Sequence, residues 1–150
     1  MKTNNFLNEI RIEYTQKVFS STTIMSSEAA SKVAREMYEI TESKLELKEY
    51  FFMILLNRAN RVIGYLKLSE GGICGTVVDQ RIAFAAALKG LATGLVLIHN
   101  HPSGNLKPSK EDIAITDKFR KIAELLDMRI LDHLIITATA FFSFADEGIL

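Results

Sequence analysis

Apolar positions recur along this chain in two periods, one suited to strands and one to helices. Residues Ile10-Arg11-Ile12-Glu13-Tyr14 alternate, which predicts a half-buried strand. Ser26 or Ser27 can cap a following helix that carries Ala29, Val33, Met37 and Ile40 on one face. Tyr50 to Leu56 is an almost unbroken apolar run and Val62 to Leu68 is a second. The turn-like Asn57-Arg58-Ala59-Asn60 between them predicts a hairpin. Gly71, Gly72 and Gly75 punctuate a loop, and residues 80–89 read as an alanine-rich helix closed by Gly90. Leu95-Val96-Leu97-Ile98 is short and wholly apolar, the mark of a central strand covered on both faces. A helix then starts near Ser109 with Ile115, Phe119, Ile122 and Leu126 at spacings of four, three and four, and strands follow at 130–137 and 141–144. Intermixed strands and helices predict an α/β or α+β layered domain with a mixed sheet.

Length and composition narrow this picture. A chain of 150 residues, 48% of them hydrophobic, forms one domain with its own core. The opening strand and helix, residues 1–44, are either part of that domain or packed on residues 45–150. The single cysteine, Cys74, excludes an intramolecular disulfide and a thiolate metal site, so a bound metal would rely on histidine and carboxylate. It reads as a small loop or core residue rather than a nucleophile. That usage suits a reducing interior, and a cytoplasmic location is expected. The N-terminus leads into a charged alternating segment, and no stretch approaches the length of a membrane span, so neither secretion nor membrane insertion is expected. Lys plus Arg equals Asp plus Glu, at 18 each, which leaves no global attraction to phosphate backbones. Arg58, Arg61, Lys67, Arg81 and Lys89 are scattered and read as a solvated face.

The chemistry concentrates after the apolar strand, which delivers the chain to His99-Asn100-His101-Pro102. Residues two apart on an extended strand project to the same side, so His99 and His101 can present both imidazoles to one point. Pro102 restricts His101 to extended backbone. A tight loop from Ser103 to Pro108 turns the next helix back, and Asp112 falls in its first turn, where the helix dipole favours a carboxylate. Two histidines, one carboxylate and an open position for water describe a catalytic zinc site. Zinc lowers the pKa of its water to about 7. Ser109 can steady the charge developing on a substrate oxygen. Glu46, Glu49, Glu70 and Glu111 are all candidate bases, and only the position of Glu49 beside a buried strand singles it out.

Plainer readings stand beside these. Ser109-Lys110-Glu111-Asp112 is also a Ser-x-x-acid capping box that needs no metal, and the histidines can be a satisfied pair at a strand end. What favours a site is the gathering of His99, His101, Ser109 and Asp112 within fourteen residues behind a buried strand. His133, between Asp132 and Leu134-Ile135-Ile136, reads as a structural residue or one that supports a ligand, with a three-histidine site as the rival arrangement.

The pattern His99-x-His101-Pro102, six residues, Ser109-x-x-Asp112 resembles the JAMM signature of MPN-plus metalloproteases. His-Asn-His-Pro-Ser-Gly, with Pro108-Ser109 and Leu131-Asp132-His133, resembles more narrowly the RadC family, named as DNA repair proteins. The resemblance covers about Glu49 to Gly148. It implies an MPN fold, a mixed sheet flanked by helices and similar to deaminases. It also implies zinc held by His99, His101 and Asp112, a hydrogen-bonding Ser109 and a catalytic Glu49. Asn100 stands where deubiquitinating members have Ser or Thr, though Asn is normal for RadC-like chains. By this resemblance residues 1–150 are expected to match only the C-terminal part of long RadC proteins, so no function of their helical N-terminal domain transfers.

Three functions follow as expectations. The first is a zinc hydrolase acting on a peptide or protein substrate, with attack on a peptide or isopeptide carbonyl. The second is a DNA-repair or mobile-element accessory, with nucleic-acid association implied by the family label alone. The third is a scaffold that holds metal without turnover. The string His-Asn-His is not the endonuclease motif of that name, whose members spread along a ββα unit, and cytidine-deaminase zinc chemistry needs a Cys-x-x-Cys that one cysteine cannot supply.

Overall fold

The computed structural model describes residues 22–71 and 77–150. The strand expected at 10–14 and the residue Cys74 lie outside them. Among the described residues, five strands form one mixed sheet: β1 Tyr50–Leu56, β2 Val62–Glu70, β3 Gly94–Asn100, β4 Arg129–Ile136 and β5 Phe141–Ser143, in spatial order β2-β1-β3-β4-β5. The same residues form three helices: α1 Ser27–Ile40 before the sheet, α2 Gln80–Lys89 between β2 and β3, and α3 Lys110–Leu125 between β3 and β4. The mixed α+β architecture expected from the sequence is the one observed.

The apolar runs explain the centre of the sheet. Every residue of β1 and β3 is buried, because both strands have neighbours on each side and helices on each face. β1 pairs antiparallel with β2 in the expected hairpin, and β2 runs on to Glu70. β1 also pairs antiparallel with β3, setting Phe51 opposite His99. β3 and β4 are parallel, which requires a long crossover, and α3 supplies it. Alternation divides the core in two. Phe51, Met53, Leu55, Leu95 and Leu97 face α2 and α3 with Phe84 and Phe119, whereas Phe52, Ile54, Val96, Ile98, Leu134 and Ile136 face α1.

Two helix faces differ from the sequence reading. α1 buries Ala30, Ala34, Met37 and Tyr38, while Ile40 is 72% exposed and Val33 only partly covered. The small alanines let this helix lie close on the sheet, and the Tyr38 hydroxyl finds a polar partner there, so the helix turns away from the face that apolarity alone suggests. α3 buries Asp112, Thr116, Phe119 and Ala123, with Ile115 and Ile122 on its flanks and Leu126 as an exposed C-cap. Two polar residues thus sit on the stripe that faces the core. Among the described residues, no helix is long and apolar enough to cross a membrane.

Candidate metal centre

β3 ends at Asn100, and His101 prolongs its pairing through an N–H bond to the Ile136 carbonyl, 3.3 Å. His99 and His101 therefore share the face turned toward α3. Ser109 caps α3: its Oγ accepts the Asp112 N–H at 3.0 Å, and Asp112 Oδ2 accepts the Ser109 N–H at 2.7 Å. The capping box is present and it aims the carboxylate at the histidines. His99 Nε2 lies 3.1 Å from Asp112 Oδ1, His101 Nε2 lies 3.4 Å from Asp112 Oδ2, and the two Nε2 atoms are 2.9 Å apart. One ligand atom from each of the three residues lies within 4.8 Å of the others. The His99 side chain is fully buried and those of His101 and Asp112 nearly so, which makes His99 the floor and the other two the rim.

Hydrogen bonds behind the rings decide which lone pairs face inward. His101 Nδ1 meets the Asn105 carbonyl at 2.6 Å; a carbonyl only accepts, so Nδ1 carries the proton and a neutral ring offers Nε2 bare. His99 Nδ1 meets His133 Nε2 at 2.8 Å, and its ring stacks on Phe51 at 5.7 Å between centroids. Burial pushes the Asp112 carboxyl up, but hydrogen bonds from His101 and His99 and the charge of His99 outweigh it and hold the group well below the ordinary carboxylate range. His101 is raised above an ordinary histidine, chiefly by its bond to Asp112 and also by the Asn105 carbonyl and the charge of Glu49. Two nitrogens and a carboxylate oxygen thus converge on one point, where Nε2 protons bridge them in the metal-free chain and a cation could take the place of those protons. Imidazole and carboxylate in this number suit zinc, and His99, His101 and Asp112 fit a metal on the chemistry of their donors.

The other predicted residues fall as follows. Glu49 is half-buried one residue before β1, and its carbonyl accepts the Gly71 N–H at 2.9 Å. Extending the Phe51–His99 register by two residues sets it opposite His101, on the same face. The other candidate bases stand apart: Glu46 and Glu111 are exposed, and Glu70 pairs with Lys48 and Lys67. Ser109 is exposed at the rim, and since its oxygen accepts the capping bond, its hydrogen is free to donate. His133 stands behind His99 rather than beside His101 and Asp112, so the three-histidine arrangement is not the one formed. Its ring is fully buried, and that burial holds its pKa well below the ordinary histidine value.

Two further residues, Thr116 and Asn100, contribute in ways that the sequence does not announce. Thr116 joins His133 Nδ1 to the Asp112 carbonyl, with both distances 2.5 Å; the available signal was a polar residue one turn after Asp112 on an apolar stripe. Asn100 faces away from the cluster and is fully used there. Its Oδ1 accepts from Tyr50 N at 2.8 Å and from the Tyr38 hydroxyl at 3.1 Å, and its Nδ2 donates to the carbonyls of Leu45 and Lys48 at 2.7 and 2.9 Å. It clasps the segment that carries Glu49.

Fold and cluster together define a mixed α+β domain with a preassembled two-histidine, one-carboxylate group able to hold a metal. The chain belongs to the RadC-like JAB domain family, whose model matches residues 24–149. Its relatives include a UPF0758 protein of Flavobacterium johnsoniae, 54% identical over 101 residues, or 67% of this chain and 44% of the relative. A UPF0758 protein of Porphyromonas gingivalis is 44% identical over 104 residues, covering 69% of this chain and 46% of the relative. One of Pelobacter propionicus is 39% identical over 113 residues, covering 75% and 48%. The chain thus spans less than half the length of these relatives.

Proposed function

We propose that this chain is a zinc-dependent hydrolase domain that cleaves a peptide or isopeptide bond in a protein substrate, with His99, His101 and Asp112 as the metal ligands. The observation that carries the reading is the meeting of two histidine Nε2 atoms and a carboxylate at a strand tip, with the His101 Nδ1 proton committed outward. Zinc, when bound, supplies a Lewis acid and a water acidic near neutral pH. Glu49, on the same face as the ligands, takes the proton from the attacking water and returns it to the nitrogen that leaves, so water adds across the C–N bond. The Ser109 hydroxyl donates to the oxygen on which negative charge develops. Asn100 keeps the Glu49 segment in register, and His99 at the floor excludes bulk water from beneath.

Elemental analysis of the purified chain tests the reading. Zinc near one equivalent in the parent, absent from both His101→Ala and Asp112→Ala, is expected. Glu49→Gln should keep the metal and lose roughly 100- to 10,000-fold in hydrolysis of peptide or isopeptide substrates. Zinc retained by Asp112→Ala overturns the ligand set, and metal that raises melting temperature while Glu49→Gln leaves turnover unchanged overturns the assigned base.

A further inference from the structure

We propose that Thr116 and His133 are positioning residues that lock the tautomer of His99, so that its Nε2 lone pair always faces the cation position. This rests on the reading of His99 as a ligand. The Asp112 main-chain carbonyl can only accept, so the Thr116 hydroxyl 2.5 Å away commits its single hydrogen to it. Thr116 Oγ1 then has only lone pairs for His133 Nδ1, also 2.5 Å away, and that nitrogen must donate. A neutral His133 carries no second ring hydrogen, so its Nε2 accepts from His99 Nδ1 across 2.8 Å. A neutral His99 therefore keeps its one hydrogen on Nδ1 and leaves Nε2, 3.1 Å from Asp112 Oδ1, open to a metal.

The circuit therefore starts at the carbonyl of Asp112 and ends beside its carboxylate, crossing α3, β4 and β3. All four residues are buried, so water cannot substitute for any link. Phe144 stacks on His133 with centroids 4.6 Å apart, and Phe51 on His99, so neither ring can turn to exchange its nitrogens. His101 reaches the same end more simply, through the Asn105 carbonyl. Each imidazole is thus directed by a main-chain carbonyl, one directly and one through two side chains. Outer partners of this kind fix ligand orientation and basicity in metal sites.

The test compares Thr116→Val, which keeps the shape and removes the hydroxyl, with Thr116→Ser, which keeps the hydroxyl. In Thr116→Val the His133 Nδ1–H loses its acceptor; the ring should shift its hydrogen to Nε2 and drive one onto His99 Nε2. Zinc affinity, measured by chelator competition on the full chain, should fall roughly 10- to 100-fold in Thr116→Val and stay within about threefold of the parent in Thr116→Ser. Imidazole ¹⁵N spectra of the metal-free chain should show His133 as the Nδ1–H tautomer in the parent and in Thr116→Ser, and as Nε2–H in Thr116→Val. Parent affinity in Thr116→Val, or an Nε2–H His133 in the parent, overturns the proposal. If the parent takes up no zinc, the ligand reading falls by itself, and the ¹⁵N pattern alone then upholds or overturns the hydrogen circuit.

Discussion

The two sides of the β3 tip are built from adjacent residues and differ in kind. On the α1 side, Asn100 uses both lone-pair positions and both hydrogens, and every partner comes from the chain. On the α3 side, His99 and His101 use their outward nitrogens on the chain and bring their inward ones together against Asp112. The first is a closed polar knot that holds segments in place. The second is a cluster of ligand-type atoms that the fold itself brings together and that could hold a cation. Buried polar atoms that the chain fully satisfies serve architecture, whereas buried atoms that converge with a surplus of lone pairs call for something from outside.

Breaking the closed side should have the largest effect. Asn100→Ala leaves the Tyr50 N–H and the carbonyls of Leu45 and Lys48 without their Asn100 partner and the Tyr38 hydroxyl with only the Tyr50 carbonyl 3.5 Å away, and it should cost about 3 kcal/mol or more in denaturant unfolding. A loss under about 1 kcal/mol would show that this knot is not what holds the segment. On the open side, Ser109→Ala removes half of the capping box and should cost about 1 kcal/mol while leaving zinc stoichiometry intact. Loss of zinc in that variant would mean that the Ser109 side chain, and not its main-chain N–H alone, aims Asp112.

The smallest effect is a pH slope that sharpens the contrast. His101 has a raised pKa in the folded chain, so in the metal-free protein its contribution to stability is fully present below the unfolded histidine value of about 6.5 and fades as pH rises through the folded value. Asp112, held low, stays ionised across this window. The stability margin of metal-free parent over His101→Ala should therefore shrink from pH 6 to pH 9. With zinc the sign inverts, because metal and proton compete for the same lone pair and binding strengthens with pH. A margin that grows with pH in the stripped protein would contradict the pairing of His101 with Asp112.

Much of the architecture was legible because burial writes itself in simple periods. The run at 50–56 read as one arm of a hairpin and that at 95–98 as a strand covered on both faces, and the two-residue alternation of His99 and His101 put both rings on one face. The capping box and the metal-type cluster looked like competing readings of Ser109 and Asp112, yet the carboxylate serves both, one oxygen capping the helix while the pair faces the histidines. What stayed hidden depends on neighbours far apart in sequence. Thr116 and His133 are 17 positions apart, and Tyr38 and Asn100 are 62 apart. Local periodicity carries no trace of either meeting. The face of α1 was misjudged for the same reason, since the Tyr38 hydroxyl answers to a strand that the helix pattern does not mention.

The parallel pairing of β3 with β4 has a consequence for how the molecule breathes. His99, His101, Asp112, Thr116 and His133 all lie in one strand-helix-strand crossover, residues 94–136, whereas Glu49 arrives on a separate hairpin. An ion gripped there should therefore tighten a single cooperative unit: amide hydrogens of α3 and β4 would exchange with deuterium far more slowly, and those at the outer edge of β2 would hardly notice.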